Sequence, residues 1–172
     1  AVYLGAGNFN ARRNAENFDE DSLKTAIEYC HTRGIRVYIT LNTLVGDDEF
    51  PDALSLIKCG CTYGADAFII ADLGIAKIIR EIAPDMPIHA STQMAVSTPA
   101  GFRELENLGF TRAVLPRELS FSEIKEIKEN TNIELEMFIH GAHCMSVSGQ
   151  CYLSGMLGGR SGNRGLCAQP CR

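Results

Sequence analysis

Three phrases of this chain repeat one design: HTRGIRVYI at 31–39, TYGADAFII at 62–70 and NLGFTRAVL at 107–115 each run from a helix end through a glycine into a strand. That recurrence is the βα rhythm of a parallel sheet. Short apolar runs at 2–4, 37–41, 67–71, 88–90, 113–115 and 135–139 supply six strands. They do not alternate cleanly between apolar and polar residues, as expected of strands covered on both faces. The stretches between them carry helix punctuation. Ser120 with Glu123 matches a capping box, Thr98 before Pro99 matches an N-cap with proline at the first helical position, and Gly34, Gly64 and Gly109 stand where helices should stop.

Polar residues cluster just after the strands: 8–13, Asn42 with Thr43, Asp72, 91–93, Arg117 with Glu118, and His140. Polar strand ends are where a (β/α)8 barrel builds its site, and no GxGxxG or Walker loop supports a nucleotide-binding sheet instead. The predicted fold class is therefore α/β, a partial TIM-type (β/α)8 barrel with about six parallel strands. Six strands in 172 residues fall short of the eight strands and roughly 250 residues of a whole barrel. The chain opens on Ala1 inside an apolar run and stops one residue after Cys171, so it reads as a segment of a longer protein whose first and last strands lie elsewhere. Residues 1–140 are expected to form the incomplete barrel and 141–172 a Cys/Gly-rich loop of the same domain. Open sheet edges in such a segment predict an edge-mediated homo-oligomer.

A hydrophobic content of 45% suffices for one core. No apolar run approaches the roughly 18 residues of a membrane span, and no secretory signal opens the chain, so the expected location is cytoplasmic with no membrane partner. The net charge of -5 argues against nonspecific binding to nucleic acid by the whole surface. From 137 to 172, however, there is no Asp or Glu, only Arg160, Arg164 and Arg172.

The same segment holds four of the seven cysteines, Cys144, Cys151, Cys167 and Cys171, spaced C-x6-C-x15-C-x3-C among seven glycines. An odd cysteine count without a secretion signal disfavours disulfides. Thiolates select zinc, copper(I) or iron–sulfur clusters; zinc more usually shows paired knuckles, and spread spacings suit a cluster better. Redox or inert thiols stay open. Cys30, Cys59 and Cys61, on predicted helices, read as core thiols.

The stretch EMFIHGAHCMSVSGQCYLS at 136–154 closely resembles the signature of peptidase family U32, the collagenase-like proteases, with His143 where the family has an aliphatic residue. Further segments are similar to the family: AVYLGAGNFNARRNAENF at the start, HASTQM at 89–94 and GRSGNRGLCAQPCR at 159–172, the last most like its ribosomal-RNA hydroxylation members. The resemblance implies a barrel of which this chain supplies strands two to seven. It also implies an iron–sulfur cluster on Cys144, Cys151 and Cys167, with Cys171 a neighbour or substitute ligand, and prephenate as a co-substrate.

Two activities compete. A peptidase needs an activated nucleophile or metal-bound water, and here only Cys144 beside His140 or His143 could serve, unless its sulfur is committed to a cluster. Hydroxylation of a pyrimidine base in ribosomal or transfer RNA needs redox chemistry and a cationic approach for phosphates, which Arg12, Arg13, Arg117, Arg160 and Arg164 would supply from one barrel face. A noncatalytic cluster-bearing module is the third reading. The strand-end positions make His89, Gln93, Arg117, Glu118 and His140 the candidates for catalysis, with Arg12, Arg13, Asn42, Asp72, Arg160 and Arg164 for substrate binding. Each also has a plain structural reading, as a loop cap, scaffold ion pair or satisfied core imidazole.

Overall fold

The computed structural model describes every residue except Asn14 and Ala142. Six strands, β1 (Val2–Gly5), β2 (Val37–Leu41), β3 (Ala67–Ile70), β4 (Ile88–Ala90), β5 (Phe110–Val114) and β6 (Glu134–Glu136), pair in parallel in sequence order. Helices α1 (Glu20–His31), α2 (Phe50–Tyr63), α3 (Leu73–Ile82), α4 (Pro99–Asn107) and α5 (Phe121–Glu129) connect them. Their starts follow from local chemistry. Asp19 accepts from the Ser22 amide ahead of α1, Thr98 from Gly101 ahead of α4, and Ser120 with Glu123 closes the expected capping box on α5.

The two faces of the sheet differ in kind. Ile39, Phe68, Ile70 and Ile88 turn to the helices and join Ile57, Ile79 and Phe102 in one buried core. Each such side chain contributes about 1.5–3 kcal/mol through its burial. The alternate residues Tyr38, Ala67 and Ile69 form a separate cluster on the other face. There Tyr3 of β1 donates a hydrogen bond from its hydroxyl to the carboxylate of Glu136 in β6, although these strands stand at opposite ends of the sheet order. The sheet is thus curled like part of a barrel, with a concave inner side.

The fifth and sixth strands depart most from expectation. β5 begins at Phe110 rather than at 113, because Phe110 already pairs with Ile88. β6 ends at Glu136, where its register with Val114 stops, so Met137, Phe138 and Ile139 leave the sheet and are exposed. β6 pairs on one side only, as does β1. Beyond it the chain forms a short helix, α6 (Leu153–Gly158), and a 3-10 turn at Gly162–Arg164. No helix of the described residues is long and apolar enough to cross a membrane.

Candidate functional site

The strand ends open into a mouth cavity of about 510 Å³, walled by Tyr3, Thr40, Asn42, Gln93, Glu136 and Phe138, with Arg12 also on its lining. Under this mouth lies a charged inner layer in place of the aliphatic filling usual in such barrels. Arg112 of β5 donates to Glu134 at 2.5 Å, to Glu136 at 3.4 Å and to the Tyr38 hydroxyl at 3.4 Å. Burial, reinforced by Glu136, raises the Tyr3 phenol well above its ordinary range. His89 packs edge-on against the Tyr38 ring and is only 5% exposed. Burial first, and the Arg112 charge second, push its imidazole down to about 4, so it is neutral at pH 7.

The cysteine segment folds over the strand ends and is fastened at several points. Arg117 donates to the carbonyls of Cys144 and Ser146 at 2.9 and 3.3 Å. Glu118 accepts from the Ser148 amide and hydroxyl. Gly149, at φ 72°, lies so close to Gln93 that an added Cβ would stand 2.3 Å from its carbonyl oxygen. Gly165, at φ 75°, packs equally closely on the β1–α1 loop, where a Cβ would meet the Arg13 nitrogen at 2.4 Å. Only glycine fits either place without strain.

These contacts assign structural work to several residues expected at the substrate. Glu118 and the guanidinium of Arg117 hold the loop's main chain. Arg164 pairs with both carboxylate oxygens of Glu49, and Arg160 donates to the Leu166 carbonyl at 3.1 Å. Asp72 caps α3 through the Ile75 amide at 3.0 Å and also accepts from Val45. Asn42 accepts from the Ala11 amide, and Gln93 donates to the Asn42 carbonyl at 2.9 Å.

The five arginines therefore do not form one free cationic surface. Arg12 and Arg117 share a second cavity of about 620 Å³ with His140, His143 and Cys144. Arg164 lines a third of about 860 Å³, with Glu49 and Asp72. Arg13 lies near Glu49, whose carboxyl is held below its ordinary range by its bond to Arg164. His89, expected at the mouth, lies beneath it on β4, whereas His140 is exposed. Tyr3, Tyr38, Arg112, Glu134 and Glu136 escaped the choice of candidates; the signal was their alternation along the strands.

All seven cysteines are free thiols; Cys144, Cys167 and Cys171 are exposed and Cys151 is half-buried. Among the described residues no three His, Cys, Asp or Glu side chains gather as metal ligands. The thiols suit iron chemically, but in this arrangement they do not form a ready cluster site.

The model of peptidase family U32 matches residues 1–172. The chain belongs to peptidase family U32. This U32 chain is 42% identical, over its whole length, to the 23S rRNA 5-hydroxycytidine C2501 synthase of Escherichia coli (strain K12), of which it spans 26%. It is 35% identical to tRNA hydroxylation protein P1 of Bacillus subtilis (strain 168), again over its whole length, and spans 41% of that protein. The solved structure of the U32 peptidase Mk0906 matches with a TM-score of 0.65 over 79% of this chain and 59% of that one. At 19% identity that likeness establishes the fold alone.

Proposed function

We propose that this U32 chain supplies the barrel mouth and cysteine segment of an enzyme that hydroxylates a pyrimidine base in ribosomal or transfer RNA. The observation that carries the reading is the mouth cavity of about 510 Å³, largely apolar in its walls but bearing Tyr3, Glu136 and Arg12, in a chain 42% identical to an rRNA hydroxycytidine synthase. A pocket of that size takes one flipped-out base, and arginine suits the adjoining phosphate. The buried, neutral His89 belongs to the support of the floor, and the exposed His140 to the neighbouring cavity.

An iron–sulfur cluster on Cys144, Cys151 and Cys167, with Cys171 nearby, belongs to this proposal as the source of redox chemistry. Because the thiols are not gathered, holding it requires the segment to rearrange. Prephenate, a dicarboxylate, belongs in this reading to the 620 Å³ cavity, which Arg12 and Arg117 both line. A cytoplasmic location accompanies an RNA substrate.

The peptidase reading rests on one observation: Cys144, His140 and His143 line that same cavity. Mass spectrometry of rRNA and tRNA nucleosides from a strain lacking the gene separates the two. Loss of one hydroxylated pyrimidine is expected; unchanged nucleosides, with peptide cleavage by the purified protein, would replace hydroxylation by proteolysis. Iron and sulfide analysis of anaerobically purified intact protein tests the cluster, which C144S and C151S should abolish while leaving the helices in place.

A further inference from the structure

We propose that Glu136 is the group that reads the base, its carboxylate accepting a hydrogen bond from the N–H donor edge of a pyrimidine held in the mouth cavity. This rests on the pyrimidine reading above and names the contact that would make it selective.

Glu136 lies at the mouth end of β6 and lines the cavity floor, its side chain 29% exposed. Tyr3 donates to Oε1, and Arg112 stands 3.4 Å from Oε2. Those two partners engage one carboxylate oxygen each and fix the orientation of the group. A carboxylate offers about four acceptor positions, so roughly two are left unfilled on this cavity-lining residue.

The amides around it are engaged in part. Asn10 donates to Asn17, Asn17 donates to the Arg13 and Ala15 carbonyls, Asn42 accepts from Ala11, and Gln93 donates to Asn42. Two carboxylates line the cavity: Glu16 is exposed, whereas Glu136 is half-buried, held in place by Tyr3 and Arg112, and has acceptor capacity to spare. Phe18 and Phe138, both on the lining, offer flat apolar faces for a ring, and Arg12 supplies a cation. A planar ring with an N–H edge and an attached phosphate fits all three features: cytosine through its amino group, uracil through its ring N–H. A carboxylate accepting from the cytosine amino group is an established recognition contact.

The test is equilibrium binding of cytidine 5′-monophosphate, uridine 5′-monophosphate and its N3-methyl derivative to the intact protein. Wild type is expected to bind the first two and to lose about tenfold on N3-methylation. Glu136→Gln should weaken cytidine monophosphate binding about tenfold, and Tyr3→Phe, which keeps the carboxylate but loosens it, by less. Equal binding of uridine monophosphate and its N3-methyl derivative, or no binding of either unmodified nucleotide, overturns the proposal. That comparison uses wild type alone and holds even if Glu136→Gln fails to fold. Undiminished binding by a folded Glu136→Gln protein also overturns it. Binding through Glu136 alongside unchanged RNA hydroxylation in the deletion strain would keep this site and remove the reaction; hydroxylation alongside unselective binding would do the reverse.

Discussion

Glu118 grips Ser148 twice, one carboxylate oxygen accepting from its amide at 2.7 Å and from its hydroxyl at 3.1 Å. With Arg117 bonded to the carbonyls of Cys144 and Ser146, two adjacent residues of the β5–α5 loop hold three residues of the cysteine segment by charged contacts. Charge-assisted bonds of this kind contribute about 1.5–3 kcal/mol each.

Removing the grip should loosen the segment without unfolding the barrel. In Glu118→Ala, hydrogen exchange is expected to accelerate at 144–151 while β2 and β3, buried at the core, stay protected. Uniform protection across both regions would mean that the segment is held by other means.

The close approach of Gly149 to Gln93 makes a sharper demand. Gly149→Ala combines a left-handed backbone with a clash against a carbonyl and is expected to cost about 1–3 kcal/mol. Gly158→Ala is the control, since a Cβ there meets nothing within 4 Å. Denaturant titration should separate the two; equal midpoints would refute the close packing.

Acid should find His89 first. Its folded-state value of about 4 lies below the ordinary 6.5, so the unfolded chain binds the proton more readily. The stability this represents is fully present above pH 6.5 and is lost as pH falls toward 4, on the order of 3 kcal/mol in all. Replacing His89 by Gln should flatten that part of the stability curve, and an unaltered slope between pH 6.5 and 4 would show that the imidazole is not the group responsible.

Arg112 holds two carboxylates and a phenol on the inner face. Arg112→Gln leaves Glu136 half-buried without its cation and should destabilise the protein by about 2 kcal/mol, discounted for partial exposure. Glu134→Gln should do far less, because that side chain is 68% exposed. Thermal melting of the pair checks the ranking; a larger loss at Glu134 would contradict it.

The sequence made the βα order legible because helix caps and apolar runs are local: Asp19, Thr98 and Ser120 act within three residues of themselves. The inner face was hidden for the opposite reason. In VYITL the aliphatic residues dominate, so Tyr38 reads as an interruption of a buried strand rather than as one face of it, and Arg112 lies outside the apolar run at 113–115 that marks the fifth strand. Latching by Arg117 and Glu118 depends on partners 27 to 30 positions away, which no local pattern encodes. The sixth strand ended early because the pairing at Val114 ended, a property of its neighbour rather than of its own apolar sequence.

Gly149 and Gly165 seat the cysteine segment on the barrel through main chain against main chain. Such joints impose almost no side-chain identity on what lies between them. Within the stretch from 150 to 163 the buried Ser154, whose hydroxyl accepts from the Ala168 amide, is a fixed peg; around it a different insert between the same two glycines would change the chemistry offered above the mouth while the socket beneath stayed as it is.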